Sequence, residues 1–300
     1  MKKLFCTLLS AAAAVALLCG FTPSPQENSA GAGLITKTYE TAEAISSLSV
    51  SDKYADVTVK ADDVDHVVVE YSYNSSYNDA FGTGGELYSF TIAGPSLNIQ
   101  GLKGDASMSV NNSKCICTMT VKLPRRAFAG LTVDTSNGNI TIQDMTSQSN
   151  TLTTTNGNVS ITGGSLDNLN ATANNGKVEV NNLLTQTFAA STRNGRISLA
   201  NTSALSITAQ AQNGSINLDT VSAPSYRCTV TNSSVVGKLV GRASDYAFDL
   251  TPGNGRVTVT DNTDSSFSLR SSGPVQQGQG AAQNFTAKAS NGSVNLEFLG

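Results

Sequence analysis

An Asn-Gly pair returns at a fixed interval and limits what this chain can fold into. Asn137-Gly138, Asn156-Gly157, Asn175-Gly176, Asn194-Gly195 and Asn213-Gly214 follow one another at steps of 19 residues. Asn232-Ser233 keeps the interval with Ser in place of Gly, and Asn254-Gly255 and Asn291-Gly292 follow after small slips. Self-similarity at such a period marks a stacked-coil architecture, in which each unit buries its apolar face only against its neighbours. Each pair is followed by apolar residues two apart, as in Ile140 and Ile142, Val159 and Ile161, Val178 and Val180, Ile197 and Leu199, Ile216 and Leu218. That alternation is a strand with one buried face. A second strand precedes each Asn, with inward residues such as Leu131 and Val133, Phe188 and Ala190, or Ile207 and Ala209. Each repeat therefore reads as strand, corner, strand and polar return.

Asn-Gly flanked by alternating residues is also the strongest short-range hairpin signal, which would give an antiparallel all-β alternative. A meander of hairpins has no need of a constant period, whereas a coil must close on the one before it in register. The spacing thus favours an all-β, right-handed parallel β-helix, or β-solenoid, with coils of about 19 residues. About nine coils at roughly 4.8 Å each make a rod on the order of 40 Å long. At each corner Gly is expected to supply a positive φ, and Asn to bond to the Asn of adjacent coils, as a ladder inside the stack.

The solenoid is assigned to 131–300, behind an N-terminal β cap or set of irregular coils over 34–130 that covers the first coil. In that leading part, 55–60 alternates and 66–71 is strongly β-prone, while 74–85 is a polar, Gly-bearing loop. Toward the other end the register slips near 235–249 and 274–283, where Pro274, Gly278 and Gly280 suggest an extruded loop.

Residues 1–20 read as a signal peptide, because Lys2 and Lys3 precede a short apolar run. Residues 21–33, with Pro23 and Pro25, read as a flexible linker. Cys19 lies in a lipobox-like stretch that carries Leu18 where a small residue is usual. A lipid tether through Cys19 and ordinary signal cleavage both remain open. Either route places the mature chain outside the cytoplasm, extracellular or on the cell surface. Beyond the signal stand Cys115, Cys117 and Cys228, an odd number that makes a poor disulfide framework. Buried, inert thiols are the first expectation and a bridge to Cys228 the second. A net charge of -3 gives no field to attract nucleic acid, so no nucleic-acid partner is expected. Oligomeric state has no sequence signal.

The run 121–124, Val-Lys-Leu-Pro, followed by 131–142, Leu-Thr-Val-Asp-Thr-Ser-Asn-Gly-Asn-Ile-Thr-Ile, resembles the DUF4097 family of bacterial cell-envelope proteins. The closing 289–296, Ala-Ser-Asn-Gly-Ser-Val-Asn-Leu, looks like that family's last coil. The resemblance spans 45–298 and implies a β-helix exposed on the cell surface, with an adhesin label and no catalytic motif to carry over.

Chemistry-bearing residues are sparse. The outward positions four residues after each Asn are Thr141, Ser160, Glu179, Ser198 and Asn217, which cannot supply the paired carboxylates of glycoside hydrolysis. His66 stands alone in the chain, so no His-based triad or zinc site assembles. Asp62, Asp63 and Asp65 lack the Gly-bearing loop of a calcium site and read as a solvated turn. Adjacent coils would bring Lys177, Arg193 and Arg196 together as a patch able to hold an acidic glycan or wall phosphate, with a solvated charged face as the plainer reading. No catalytic residue, metal or cofactor is expected. The leading expectation is a non-enzymatic surface module for a glycan, wall polymer or protein. A structural or envelope-stress sensing component with a membrane partner is the second, and a polysaccharide-active enzyme the third.

Overall fold

The computed structural model describes residues 34–74, 87–101 and 116–300. The signal and linker expectations, Cys19, Cys115 and nearly all of the 74–85 loop lie outside them. The leading strands are β1 (Leu34–Thr41), β2 (Ser47–Asp52), β3 (Asp56–Asp62), β4 (Val67–Asn74), β5 (Tyr88–Ala93), β6 (Ser96–Gly101) and β7 (Cys117–Pro124). Through the repeat run β8 (Ala127–Thr135), β9 (Ile140–Gln143), β10 (Thr146–Thr154), β11 (Val159–Thr162), β12 (Ser165–Ala173) and β13 (Val178–Asn181). They continue as β14 (Thr187–Thr192), β15 (Ile197–Ser203), β16 (Ser206–Ala211), β17 (Ile216–Ser222), β18 (Ser225–Val230) and β19 (Val235–Leu239). The closing strands are β20 (Tyr246–Pro252), β21 (Val257–Asp261), β22 (Ser268–Ser271), β23 (Val275–Gln277), β24 (Gln283–Ala289) and β25 (Val294–Phe298), and one short helical turn spans Ala243–Asp245.

These strands form two sheets of 13 and 12 strands, parallel through the repeat. The strand before each corner lies in one sheet and the strand after it in the other. Register is in phase with the sequence repeat, so like residues stack. Ile140, Val159, Val178, Ile197, Ile216 and Val235 are successive partners in one sheet. Val133, Leu152, Ala171, Ala190, Ala209 and Cys228 are successive partners in the other. Both columns are buried and face each other across a continuous apolar core. A slip of one residue would turn an entire column to solvent, which is why the period is held so strictly.

The corners differ from expectation in two ways. None of the five corner glycines has a positive φ. What excludes a side chain is the neighbouring coil. A methyl group on Gly157 would lie 1.9 Å from the Gly138 carbonyl oxygen, on Gly176 it would lie 1.8 Å from that of Gly157, and on Gly195 1.8 Å from that of Gly176. Threonine tightens some corners further. The Thr154 hydroxyl donates to the Gly138 carbonyl and accepts from the Gly157 amide, both at 3.0 Å, and Thr192 does the same between Gly176 and Gly195. The asparagine ladder exists, but it runs along the exposed outside of the corner rather than inside the stack. Asn156, Asn175, Asn194, Asn213 and Asn232 each donate a side-chain N–H to the Oδ1 of the Asn one coil back, at 2.7 to 2.8 Å. Gly138, Gly157 and Gly176 are buried and the Asn before each is exposed, because each glycine is in phase with the buried residues of the strand that follows.

The positive φ lies at a second corner, between β9 and β10 and at its equivalents. Asp144, Gly163, Asn182, Asn201 and Thr220 all adopt φ between 48° and 70°. Gly, Asn and Asp enter this region readily, whereas the β-branched Thr220 does so under strain.

Both ends depart from chain order. The coil β2–β3 stacks on β8–β9, and the later pair β6–β7 lies outside it. At the other end β24–β25, last in sequence, inserts between β18–β19 and β20–β21, so the closing coil is not the outermost one. Antiparallel strands then cover the outermost coils: β4 on β7, β1 on β4 and β5 on β6 at one end, β22 on β21 and β23 on β20 at the other. The segment with Pro274, Gly278 and Gly280 is thus not simply an extruded loop, since Val275–Gln277 is the covering strand β23. Aromatic rings fill both ends, with Tyr39 stacked on Phe90 at 4.0 Å between centroids and Tyr226 on Phe285 at 4.7 Å.

Two stability measurements test the corners. Gly195→Ala will cost about 2 kcal/mol or more, because its methyl meets a backbone oxygen that cannot move alone, while Arg196→Ala will change stability by less than about 0.5 kcal/mol. Thr220→Asn will raise stability by about 1 kcal/mol by relieving the left-handed strain of a β-branched residue. Denaturant midpoints of the three variants against the parent protein check both expectations.

Candidate functional site

The first corner builds a narrow outer edge of three parallel columns. The asparagine ladder is the middle one. On one side, the residue before each first-sheet strand forms the column Asn139, Asn158, Lys177 and Arg196, aligned because Ile140, Val159, Val178 and Ile197 are in register. Side chains knit part of this column, since the Asn158 amide N–H groups donate to Asn139 Oδ1 at 2.9 and 3.0 Å, and the Lys177 backbone N–H donates to Asn158 Oδ1 at 2.9 Å. On the other side of the ladder stands Arg193, whose backbone N–H donates to the Asn174 carbonyl at 3.0 Å.

Lys177 and Arg196 thus occupy neighbouring coils, about 4.8 Å apart at the backbone, and Arg193 flanks the same Asn194-Gly195 corner as Arg196. All three are exposed. Lys177 Nζ lies 3.4 Å from Glu179 Oε1. Neither Arg193 nor Arg196 forms an ion pair among the described residues. Glu179 stands in one outer row with Thr141, Ser160, Ser198 and Asn217, so the row holds a single carboxylate, itself beside a lysine.

Charges near the leading end are arranged differently, as close opposite pairs. Lys122 Nζ lies 2.6 Å from Glu70 Oε1, Lys60 Nζ 2.8 Å from Asp62 Oδ2, and Arg125 Nε 2.8 Å from Asp63 Oδ1. The hydrogen bond from Lys60 holds the Asp62 carboxyl below its usual pKa. Asp65 bonds the His66 ring, which raises the pKa of the imidazole and lowers that of Asp65. The three aspartates therefore each face a basic side chain. Among the described residues no group of three His, Cys, Asp or Glu stands close enough to hold a metal ion.

A second basic locus went unforeseen. Asn254, Gly255, Arg256, Arg270, Ser271 and Ser272 line an open depression at the outer coil. Arg256 continues the column of Lys177 and Arg196, but Arg270 sits on the antiparallel strand β22. Only that covering strand brings the two arginines together, so the repeat spacing carries no trace of the pair.

The thiols have no partner in one another. Cys117 and Cys228 are both buried, and seven strand steps separate their coils, roughly 30 Å at 4.8 Å per step. This removes the expectation of a Cys117–Cys228 bridge. Burial among alanines pushes the Cys228 thiol up to about 12, and Cys117 Sγ lies 3.1 Å from the Tyr88 hydroxyl.

Residues 45–297 match the family described as Toastrack DUF4097. This chain belongs to the DUF4097 family. No curated protein matches this member. Its fold is similar to that of a "putative adhesin" from Bacteroides fragilis, with 14% identity, 93% of this chain and 100% of the other covered, and a TM-score of 0.46. It is similar also to a "putative lipid binding protein" from Parabacteroides distasonis, with 12% identity, 88% and 96% covered, and a TM-score of 0.49. A "putative adhesin" from Parabacteroides merdae matches at 14% identity over 88% and 96%, with a TM-score of 0.42. No helix among the described residues of this DUF4097 chain is long and apolar enough to cross a membrane.

Thiol labelling tests the buried cysteine. Cys228 will resist iodoacetamide in the folded protein at mildly alkaline pH and become fully labelled in denaturant, as read by peptide mass.

Proposed function

We propose that this protein is a non-enzymatic binding module of the cell surface, exported by its N-terminal segment, and that it engages an anionic glycan or wall polymer along the rod. The body is a right-handed parallel β-solenoid with coils of about 19 residues. The observation that carries the reading is the corner where Arg193 and Arg196 stand exposed and, among the described residues, without a carboxylate partner, beside Lys177. Guanidinium groups match carboxylate, sulfate and phosphate oxygens with paired donors, which suits Arg for such ligands. The setting also matches the ligand: corner residues recur about every 4.8 Å along a straight edge, so an extended polymer meets amide, hydroxyl and cationic groups at regular intervals. Many weak contacts of this kind add up by multivalency, without a deep pocket. The row around Glu179 has no second carboxylate, which supports a binding role over hydrolysis.

Calorimetry with polyglycerol phosphate, polygalacturonate and neutral dextran tests the proposal. The acidic polymers will bind in a salt-dependent way and dextran will not. The double variant Arg193→Ala with Arg196→Ala will weaken binding of the acidic polymers roughly tenfold with an unchanged thermal midpoint. Equal binding of dextran, an unaffected double variant, or depolymerisation lost on Glu179→Gln would each overturn this reading.

A further inference from the structure

The ladder has an end, and that end is chemically different from its interior. Asparagine followed by glycine is prone to spontaneous deamidation. The glycine backbone nitrogen, after losing its proton to solvent base, attacks the asparagine Cγ and closes a five-membered succinimide. The side-chain nitrogen leaves as ammonia, taking a proton from water. A water molecule then opens the ring at either carbonyl and leaves aspartate or isoaspartate. The reaction consumes water, releases ammonia and involves no oxidant or reductant. It needs an asparagine side chain free to turn toward the next amide and a glycine N–H free of other bonds.

Most corners withhold one or both. Asn156 donates to Asn137 Oδ1 at 2.7 Å and accepts from Asn175 at 2.8 Å, so turning its Cγ breaks two hydrogen bonds. Asn175 and Asn194 are gripped in the same way, and Asn137 donates to the Lys53 carbonyl while accepting from Asn156. Threonine adds a second restraint where it is present, since the amides of Gly138, Gly157 and Gly195 donate to Thr135, Thr154 and Thr192. The ladder continues in spatial order through Asn232 and Asn291 and stops at Asn254.

At Asn254 both restraints lapse. Its side-chain N–H donates to Asn291 Oδ1 at 3.0 Å, the longest bond of the ladder, and its own Oδ1 accepts from nothing among the described residues. The residue three before Gly255 is Pro252, so no hydroxyl holds the glycine amide, and that amide donates to no group among the described residues. Both residues line the open depression with Arg256 and Arg270, where water has access and cationic charge favours the deprotonated nitrogen. We propose that Asn254-Gly255 is the deamidation site of this protein, and that the asparagine ladder shields the interior Asn-Gly pairs from the same reaction. The product places a carboxylate against Arg256 and Arg270 and reduces the positive charge of that depression.

Ageing the folded full chain in heavy-oxygen water at mildly alkaline pH, followed by peptide mass mapping, tests the proposal. The denatured chain aged in parallel supplies the intrinsic rate of each pair. The folded-to-denatured rate ratio at Asn254 will exceed those at Asn156, Asn175 and Asn194 by roughly tenfold or more, since the interior pairs react only through local opening. A ratio at Asn254 equal to or below theirs would overturn the assignment. Asn194→Ala supplies a second reading, because it leaves Asn175 Oδ1 without its donor at a corner where Ala173 replaces the threonine, and so makes Asn175 a ladder end. Its rate will rise toward that of Asn254 if the ladder is the shield, and an unchanged Asn175 rate in a variant of unchanged thermal midpoint would overturn that role.

Discussion

Successive coils meet at the first corner closely enough that the carbonyl oxygen of one glycine occupies the space a side chain would take on the next. This contact sets the conditions for the rest of the stack. It holds the two sheets at strand spacing right up to the turn, so the ladder of backbone hydrogen bonds is not splayed at its edge. It also puts the asparagine amides within 2.7 to 2.8 Å of one another along the repeat, where each can donate to the coil before and accept from the coil after. Every such bond is exposed and worth at most about 1 kcal/mol, so the ladder fixes register more than it supplies stability. The stability comes from the columns of Ile, Val, Leu and Phe that the register keeps in line.

A parallel stack has no intrinsic end, and an uncovered last coil is a template for another chain. This protein closes both ends with antiparallel strands, which reverse direction and so do not offer the next parallel coil its partner. The cover at the later end is delivered by the same stretch that makes the outermost coil, and the final strands of the chain return to fill the place behind it. One consequence is that the ladder ends at Asn254 rather than at Asn291. Another is the depression in which Arg256 and Arg270 meet.

The charges fall into two settings. Around the leading end, Lys122 with Glu70 and Arg125 with Asp63 form opposite pairs, which leaves little net field for a ligand. Along the corner edge, Arg193 and Arg196 are unpaired among the described residues and lie within reach of any polymer that follows the rod. An extended ligand needs no deep cleft to bind along such an edge, because it gains affinity from repetition.

By itself the sequence determined the parallel stack, the two-strand repeat and the place of its corners. The 19-residue spacing of Asn137 through Asn232 is a consequence of coil closure, and alternation such as Ile140 and Ile142 follows from one buried strand face. It also named Lys177, Arg193 and Arg196 as neighbours, because register converts a constant interval into proximity. Only the tertiary structure decided why Gly157 and its equivalents are glycine: the constraint is a carbonyl on the neighbouring coil, 19 residues away in sequence for Gly157, Gly176, Gly195 and Gly214, which no local signal can carry. It alone moved the positive φ to Asp144, Asn182 and Thr220, residues whose identity varies from coil to coil. The interchange of coils at the two ends, the covering strands and the meeting of Arg256 with Arg270 likewise lay outside the periodic signal. They depend on which edge of the stack is exposed, and a period can state how neighbours pair but not where pairing stops.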